Sequence, residues 1–442
     1  MSADLDAVVV GAGVAGLAAA GALRRAGART LVLEACGRIG GRAYTAHPAA
    51  LGGAPFDHGA TWLHMAENNP LAARARAAGI PLADTRGDWT RHVMIESRPT
   101  TAAESKAYSA AWERFEEVAR VRAAEPADMS LHEAVATLNG EPWTATVAAW
   151  EATLIAAADP RDLSAKDWHL NELSGGNLRV QGGLGAMVAR VLGPEAGEVR
   201  LGVPVRRIVW DGPGGQVEVS GDFGRISART AIVTVSTGVL RASGIGFTPA
   251  LPEHLRAALD GLPMGLLSKV AIPAAGADRL GTPSGTSLYR RVADPAERAI
   301  FFSLWPQGAD FAVGFFGGRA AWDLARKGEA ATAAFARAEL RRLLGARAEA
   351  AFGDAVEVTT WGSDPAFLGA YAYAKPGCVS ARGAVDAPLA GRLWFAGEAW
   401  RTDGLAGTVG GAYLSGEQAA IAAARALGLS PPASTDTCNS PR

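Results

Sequence analysis

The period of the hydrophobic pattern changes several times along the chain, and each change predicts an element. Ala7 to Val10 is a β-branched run, Val14 to Ala26 is an Ala-rich stretch, and Thr30 to Leu33 is a second β-branched run. Together they predict a strand, a helix and a strand. Asn69 followed by Pro70 predicts a helix through Ala78, since Asn suits the N-cap and Pro the first turn. Ser130 with Glu133 forms a capping box before Ala134 to Leu138, and Ala145 to Ala157 continues the helical character. The stretch from about Pro81 to Asp167 therefore reads as a mostly helical insert with nothing resembling the strands around it.

After Gly182-Gly183 a helix is predicted to Leu192, then strands over Val199 to Val209, Gln216 to Ser220 and Thr230 to Val235. Val270 to Ile272, Ala299 to Leu304 and Phe311 to Phe316 predict a further, mainly antiparallel sheet, and Ala330 to Leu344 a long helix. From Arg392 the pattern returns to strand, glycine turn and helix, and the Ser-, Pro- and Thr-rich tail after Gly428 reads as disordered.

Composition narrows the class. The 442 residues are 49% hydrophobic and 20% charged, as in soluble globular proteins, and exceed what one ordinary core takes. With a formal net charge of -1 and no Lys/Arg block, neither nucleic acid nor a membrane surface is an expected partner. Cys36, Cys378 and Cys438 are too few and too scattered for a disulfide framework or a metal site, which fits a reducing compartment. The N-terminus lacks signal-peptide character and no apolar run reaches the roughly 18 residues of a spanning helix, so the expected location is cytoplasmic.

The chemistry starts at Val10-Gly11-Ala12-Gly13-Val14-Ala15-Gly16, a GxGxxG placed between strand and helix. Gly11 permits the turn, Gly13 lets backbone approach a pyrophosphate, Gly16 lets helix pack on strand, and the first helical turn, Ala15 included, offers N–H groups to the anion. Glu34, with Ala35 after it, ends the second strand where a carboxylate meets ribose hydroxyls. Arg38-Ile39-Gly40-Gly41-Arg42 separates FAD from NAD, because Gly41 lets backbone reach the pyrophosphate while Arg38 and Arg42 neutralise it. The fold class is accordingly α/β: a Rossmann-type FAD-binding domain over 1–80, 178–250 and 385–430. An α+β substrate domain of mixed sheet plus helices is interleaved over 81–177 and 251–384, and 431–442 is the tail.

With these motifs the chain resembles the flavin-dependent amine oxidases, in their polyamine oxidase-like branch. Phe56-Asp57-His58-Gly59-Ala60-Thr61-Trp62-Leu63-His64 is similar to the segment lying against the flavin ring, which implies that Gly59, Ala60, Thr61 and Trp62 contact cofactor. Gly391 to Glu398 and Gly407 to Gly416 resemble the second flavin motif, implying roles for Gly397, Glu398, Thr408 and Val409. Glu398 would bind a ribityl hydroxyl, and a helix starting near Thr408 would stabilise negative charge on reduced flavin. Val205 stands where the family grips adenine through backbone. Ser236-Thr237 departs from the usual proline-containing loop, and Gly410 from a common histidine.

Four residues are expected to face substrate. Lys269 interrupts an apolar run; the resemblance implies that it holds a water near flavin N5. Trp361 and Tyr371 would present aromatic rings to flavin and amine. His64 would contact an amine or hydroxyl, and Asp167 and Glu172 are candidate anchors for a distal ammonium. Ala370 occupies the position where the monoamine oxidases carry the cysteine bonded to FAD, so the cofactor is expected to be non-covalent. The expected reaction is oxidation of a small amine, a polyamine among the candidates, to an imine that hydrolyses to an aldehyde or ketone, with O2 giving H2O2. L-amino-acid oxidation, through an arginine such as Arg91, Arg179 or Arg290, is one alternative. Dehydrogenation with another acceptor and a non-catalytic flavin-binding protein are the others.

Overall fold

The structure is a computed structural model that describes residues 5–84, 91–295 and 297–432. The opening βαβ unit forms as its pattern predicts: strand Leu5–Val10, helix Val14–Arg25 and strand Thr30–Leu33. Small residues on this first helix let it lie tightly against its neighbours, and Arg24 and Arg25 in its last turn complement the helix dipole.

Leu5–Val10 is central in an eight-stranded sheet, running parallel to Thr30–Leu33 on one side and to Gly224–Val233 on the other. Gly224–Val233 also pairs in parallel with Leu393–Phe395 near the other end of the chain. The predicted strand Val199–Val209 is two strands. Glu198–Arg200 pairs with Thr30–Leu33, and Val205–Val209 sits at the far side of the sheet against Val217–Gly221 and Gly246–Thr248. Gly202, at φ +68°, lies in the turn between them, where an unbroken extended run cannot continue.

The second sheet has the order Glu357–Val358, Leu267–Pro273, Phe311–Gly317, Phe301–Leu304, Thr286–Arg290, Arg91–Ile95, Arg98–Pro99. The last two strands correct the expectation of a mostly helical insert with nothing resembling the strands around it. Residues 91–99 join this sheet through a parallel pairing of Arg91–Ile95 with Thr286–Arg290, whose strand character the sequence reading also passed over. Tertiary pairing partners decide such short segments, which carry no period of their own. The remainder of the insert is helical: Thr101 and Glu104 cap the long helix Ala102–Ala123 in a capping box, and Ser130 with Glu133 caps Leu131–Ala134. Thr144–Ala148 continues into a π-helical segment, Ala149–Ile155. The tail beyond 432, with Cys438, lies outside the described residues.

The last helix, Val409–Ala426, packs on the first. A Cβ placed on Gly416 would lie 2.0 Å from the Ala15 carbonyl oxygen, so only glycine permits this crossing. Gly16 is under the same constraint, its Cβ position being 1.9 Å from the Gly11 carbonyl oxygen. Among the described residues no helix is long and apolar enough to cross a membrane.

Replacing Gly416 by Ala is expected to destabilise the protein by at least about 1–3 kcal/mol, since backbone cannot give way as a side chain can. Gly37→Ala, whose Cβ would meet no atom within 4 Å, is the matched control. Thermal unfolding of both checks this, and equal midpoints would contradict the packing argument.

Candidate active site

One cavity of about 1230 Å³ runs between the two sheets and takes residues from both ends of the chain. Gly11, Gly13 and Ala15 line it together with Glu34 and Ala35, Gly41 and Arg42, the run Gly59 to Trp62, Val205, Gly397, Glu398, Thr408 and Val409. His64, Lys269, Trp361 and Tyr371 line it as well. Gly16 and Arg38, both expected at the cofactor, do not. Gly16 serves the helix approach described above. Arg38 turns its guanidinium onto the Tyr44 ring, 3.8 Å from the centroid, and donates to the carbonyls of Ile39 and Gly41, bracing the glycine loop from behind.

At one end the first helix begins at Gly13 with no side-chain cap and no acid in its first turn, leaving N–H groups for an anion. Glu34, buried, accepts from the N–H of Ala12 at 2.6 Å and of Cys36 at 2.8 Å, one on each oxygen. Each carboxylate oxygen retains a lone pair for a ribose hydroxyl. Burial and the neighbouring Glu34 charge push the Cys36 thiol up to about 11. Arg42 spans the chain: its Nη1 donates to the Ala370 carbonyl at 2.7 Å and to Glu398 Oε1 at 2.9 Å. At the last helix Thr408 is the N-cap and accepts from Gly411 N–H. Ser236, where the family's proline is missing, caps the short helix Thr237–Arg241 and donates to the Phe367 carbonyl. The space left by Gly410 is filled by Asn69, 2.9 Å from where a Cβ would stand. Uncapped helix N–H groups, a ribose-type acid and an arginine within one elongated cavity fit FAD.

The other end is aromatic. Trp62 packs on Phe315 with centroids 5.7 Å apart, Phe315 on Phe301 at 5.9 Å, and Phe301 on Trp150 at 4.8 Å. Trp62 Nε1 is buried without a hydrogen-bond partner among the described residues. Tyr371 closes against the π-helical segment, donating its hydroxyl to the Leu154 carbonyl at 3.2 Å, and burial raises its pKa. Trp361 keeps other company. Its indole donates to the His58 carbonyl at 2.9 Å and packs edge-on against Phe367. His64 bonds Asn177 through Nδ1 at 2.7 Å, and burial lowers its pKa, so it is a neutral residue with one nitrogen committed. Trp150, Phe301, Phe315 and Leu154 were not foreseen, because an apolar side chain on a helix or strand reads as core until the cavity beside it is known.

Lys269 is buried, and its Nζ donates to the Asp57 carbonyl at 2.7 Å, to the Gly59 carbonyl and to Thr61 Oγ1. An ammonium has three hydrogens, and these partners take all of them. Burial lowers its pKa to about 7; Asp57 opposes that shift and Arg179 adds to it. Burial in turn raises the Asp57 carboxyl, which the Lys269 charge opposes.

The two acids considered as ammonium anchors are otherwise engaged. Asp167 is paired with buried Arg382, and Glu172 is bonded to Arg120 and His169 and does not line the cavity. Of the arginines considered for a carboxylate, Arg290 is held by Glu339 and Glu297, and the side chain of Arg91 lies outside the described residues. Arg179 stands over the Trp62 ring, 5.1 Å from its centroid, and does not line the cavity.

Comparison with known proteins places this geometry. Residues 14–424 match the family described as flavin containing amine oxidoreductase. Probable polyamine oxidase 4 of Arabidopsis thaliana is 30% identical over 443 residues, covering 93% of this chain and 85% of its own. Lysine-specific histone demethylase 1 homolog 2 of the same plant is 28% identical over 446 residues, covering 92% of this chain and 57% of its own. In fold, the chain is similar to wild-type putrescine oxidase bound to putrescine, with a TM-score of 0.75 at 22% identity, covering 94% of this chain and 98% of that one. An elongated cavity suited to FAD at one end and walled by aromatic rings at the other, within a match spanning most of the sequence, has one reading: the chain belongs to the flavin-containing amine oxidoreductases and is an FAD-dependent amine oxidase.

Proposed function

We propose that the protein oxidises the carbon–nitrogen bond of a small amine to an imine, which water hydrolyses to an aldehyde or ketone, and that O2 takes the electrons and leaves as H2O2. When bound, FAD supplies the two-electron acceptor. The observation that carries the reading is the continuous cavity joining the Gly13 helix start to the Trp62–Phe315 wall. The sheet built from residues 5–33, 198–248 and 393–395 would hold the dinucleotide, and the sheet carrying Lys269 and Phe315 would form the substrate wall. Ala370 lines the cavity where a linking cysteine would be needed, which supports a non-covalent cofactor.

In this reading the protein's own residues act by position and charge. The Gly13 and Thr408 helix starts face negative charge with N–H groups. Arg42 is held at the cavity by Glu398, so its charge is directed as well as present. The aromatic run excludes water and accepts the uncharged amine, the form from which a hydride equivalent can leave. Lys269 supplies a group that changes charge near neutrality, held among three oxygen atoms.

An oxygen electrode coupled to a peroxide assay tests the acceptor: one O2 consumed and one H2O2 formed per amine is expected. Amine-dependent dye reduction without O2 uptake would contradict it. A second expectation concerns Lys269. Its folded value lies below the ordinary 10.5, so between about pH 7 and 10.5 the unfolded chain holds the extra proton, and stability rises with pH across that window. The penalty is fully present below 7. Lys269→Met removes this dependence, so any melting-temperature advantage of the variant should shrink by a few degrees from pH 7 to 10. A constant difference would show that Lys269 does not titrate there. Turnover in the wild type should likewise break near pH 7, a break absent from the variant, which should be slower by about 10²-fold.

A further inference from the structure

Among the described residues four carboxylates line the cavity: Glu34, Asp167, Asp364 and Glu398. Three stand with the cofactor residues. Glu34 holds the N–H groups of Ala12 and Cys36, and Glu398 pairs with Arg42. Asp364 accepts from Ala366 N–H, and its charge acts on Cys36 and Arg38. Asp167 alone of the four belongs to the substrate side, on the helix Ala165–Leu170 beside Trp168.

A carboxylate has about four acceptor positions, and Asp167 has all of its own filled. Oδ1 accepts from Arg382 Nε at 2.7 Å and Asn171 Nδ2 at 3.0 Å. Oδ2 accepts from Arg382 Nη2 at 2.7 Å and Ala374 N–H at 2.8 Å. The pair is nearly sealed, with side chains 4% and 2% exposed. Breaking a buried bidentate pair to free one oxygen would leave an uncompensated guanidinium, so Asp167 is not available to a substrate cation.

Positive charge is committed in the same way. Among the described residues the lining arginines are Arg42, held by Glu398 and the Ala370 carbonyl, Arg206 beside Val205 at the cofactor end, and Arg382. None of these three is open, on the substrate side, to a substrate carboxylate. Lys269, the remaining lining cation there among the described residues, has its three hydrogens on Asp57, Gly59 and Thr61 and disfavours a second cation nearby. The wall around these closed charges is mainly aromatic and aliphatic, with His64, Asn171 and Asn177 as uncharged polar members. A second charged group on a ligand there meets no open counter-charge among the described residues and is desolvated without an ionic partner.

Resting on the amine-oxidising reading above, we propose that the substrate carries a single amino group on an apolar aryl or alkyl body, and that diamines, polyamines and α-amino acids are poor substrates. The amine enters uncharged at the cofactor side, and the apolar body occupies the run from Trp62 to Trp150. Entry lies past Ile155, a cavity residue that is 40% exposed.

The test is anaerobic stopped-flow of the holoenzyme, following flavin bleaching with 2-phenylethylamine, hexylamine, putrescine, spermidine and L-phenylalanine. Bleaching efficiency with the two monoamines is expected to exceed that with the other three by on the order of 10-fold or more. Putrescine, spermidine or L-phenylalanine equal to or better than the monoamines overturns the proposal. Bleaching by dithionite but by no amine instead defeats the amine-oxidising reading, and the two failures are thus distinguishable. Ile155→Glu, which adds a carboxylate at an exposed rim position, gives a second readout. Putrescine efficiency should rise several-fold relative to 2-phenylethylamine; an unchanged ratio contradicts the claim that a missing anchor sets the preference.

Discussion

The crossing of the first and last helices is the constraint on which the site depends. Ala15 and Gly416 meet backbone to backbone, with no room for a Cβ. Because of that contact, two helix starts separated by about four hundred residues of sequence open into the same cavity. Each presents a partial positive charge of about half an elementary unit, and neither can be moved without disturbing the other. Arg42 and Glu398 repeat the arrangement at side-chain level, tying the glycine loop after the second strand to the segment before the last helix. Cofactor geometry in this fold is therefore a consequence of helix packing as much as of any single ligand-contacting residue.

The cofactor end was legible in the sequence because its demands are local. A glycine turn between a strand and a helix, an acid ending the next strand and a second glycine segment near the C-terminus each declare a backbone requirement that few other sequences satisfy. Even there the direction of Arg38 needed coordinates. Gly16 answers a steric demand of the Gly11 carbonyl, and Arg38 stacks on Tyr44 away from the cavity. A charged residue beside a glycine motif carries no mark of the direction in which it points.

The substrate end was less legible because it is assembled from distant strands and helices. Phe315 and Lys269 arrive on adjacent antiparallel strands, Trp150 and Leu154 on a helix, Trp62 on a short strand after the glycine segment. Lys269 stands out as a charge in an apolar run and Trp62 through its motif, but Phe315, Trp150 and Leu154 are ordinary core by their own pattern. Asp167 is the instructive case: its sequence context allows an exposed anchor, whereas the fold buries it against Arg382, which donates two of the four hydrogen bonds it accepts, Asn171 and the Ala374 N–H donating the others. Charge in a sequence is a supply of partners, and only the fold says how it is used.

The account stands on one elongated cavity holding a flavin dinucleotide between the two helix starts. Calorimetric titration of deflavinated protein with FAD, FMN and NAD measures that directly. The account predicts one FAD per chain, far weaker uptake of FMN, which lacks the portion read by Glu34 and the Gly13 helix start, and no uptake of NAD. Equal affinity for FMN, or preference for NAD, would contradict it.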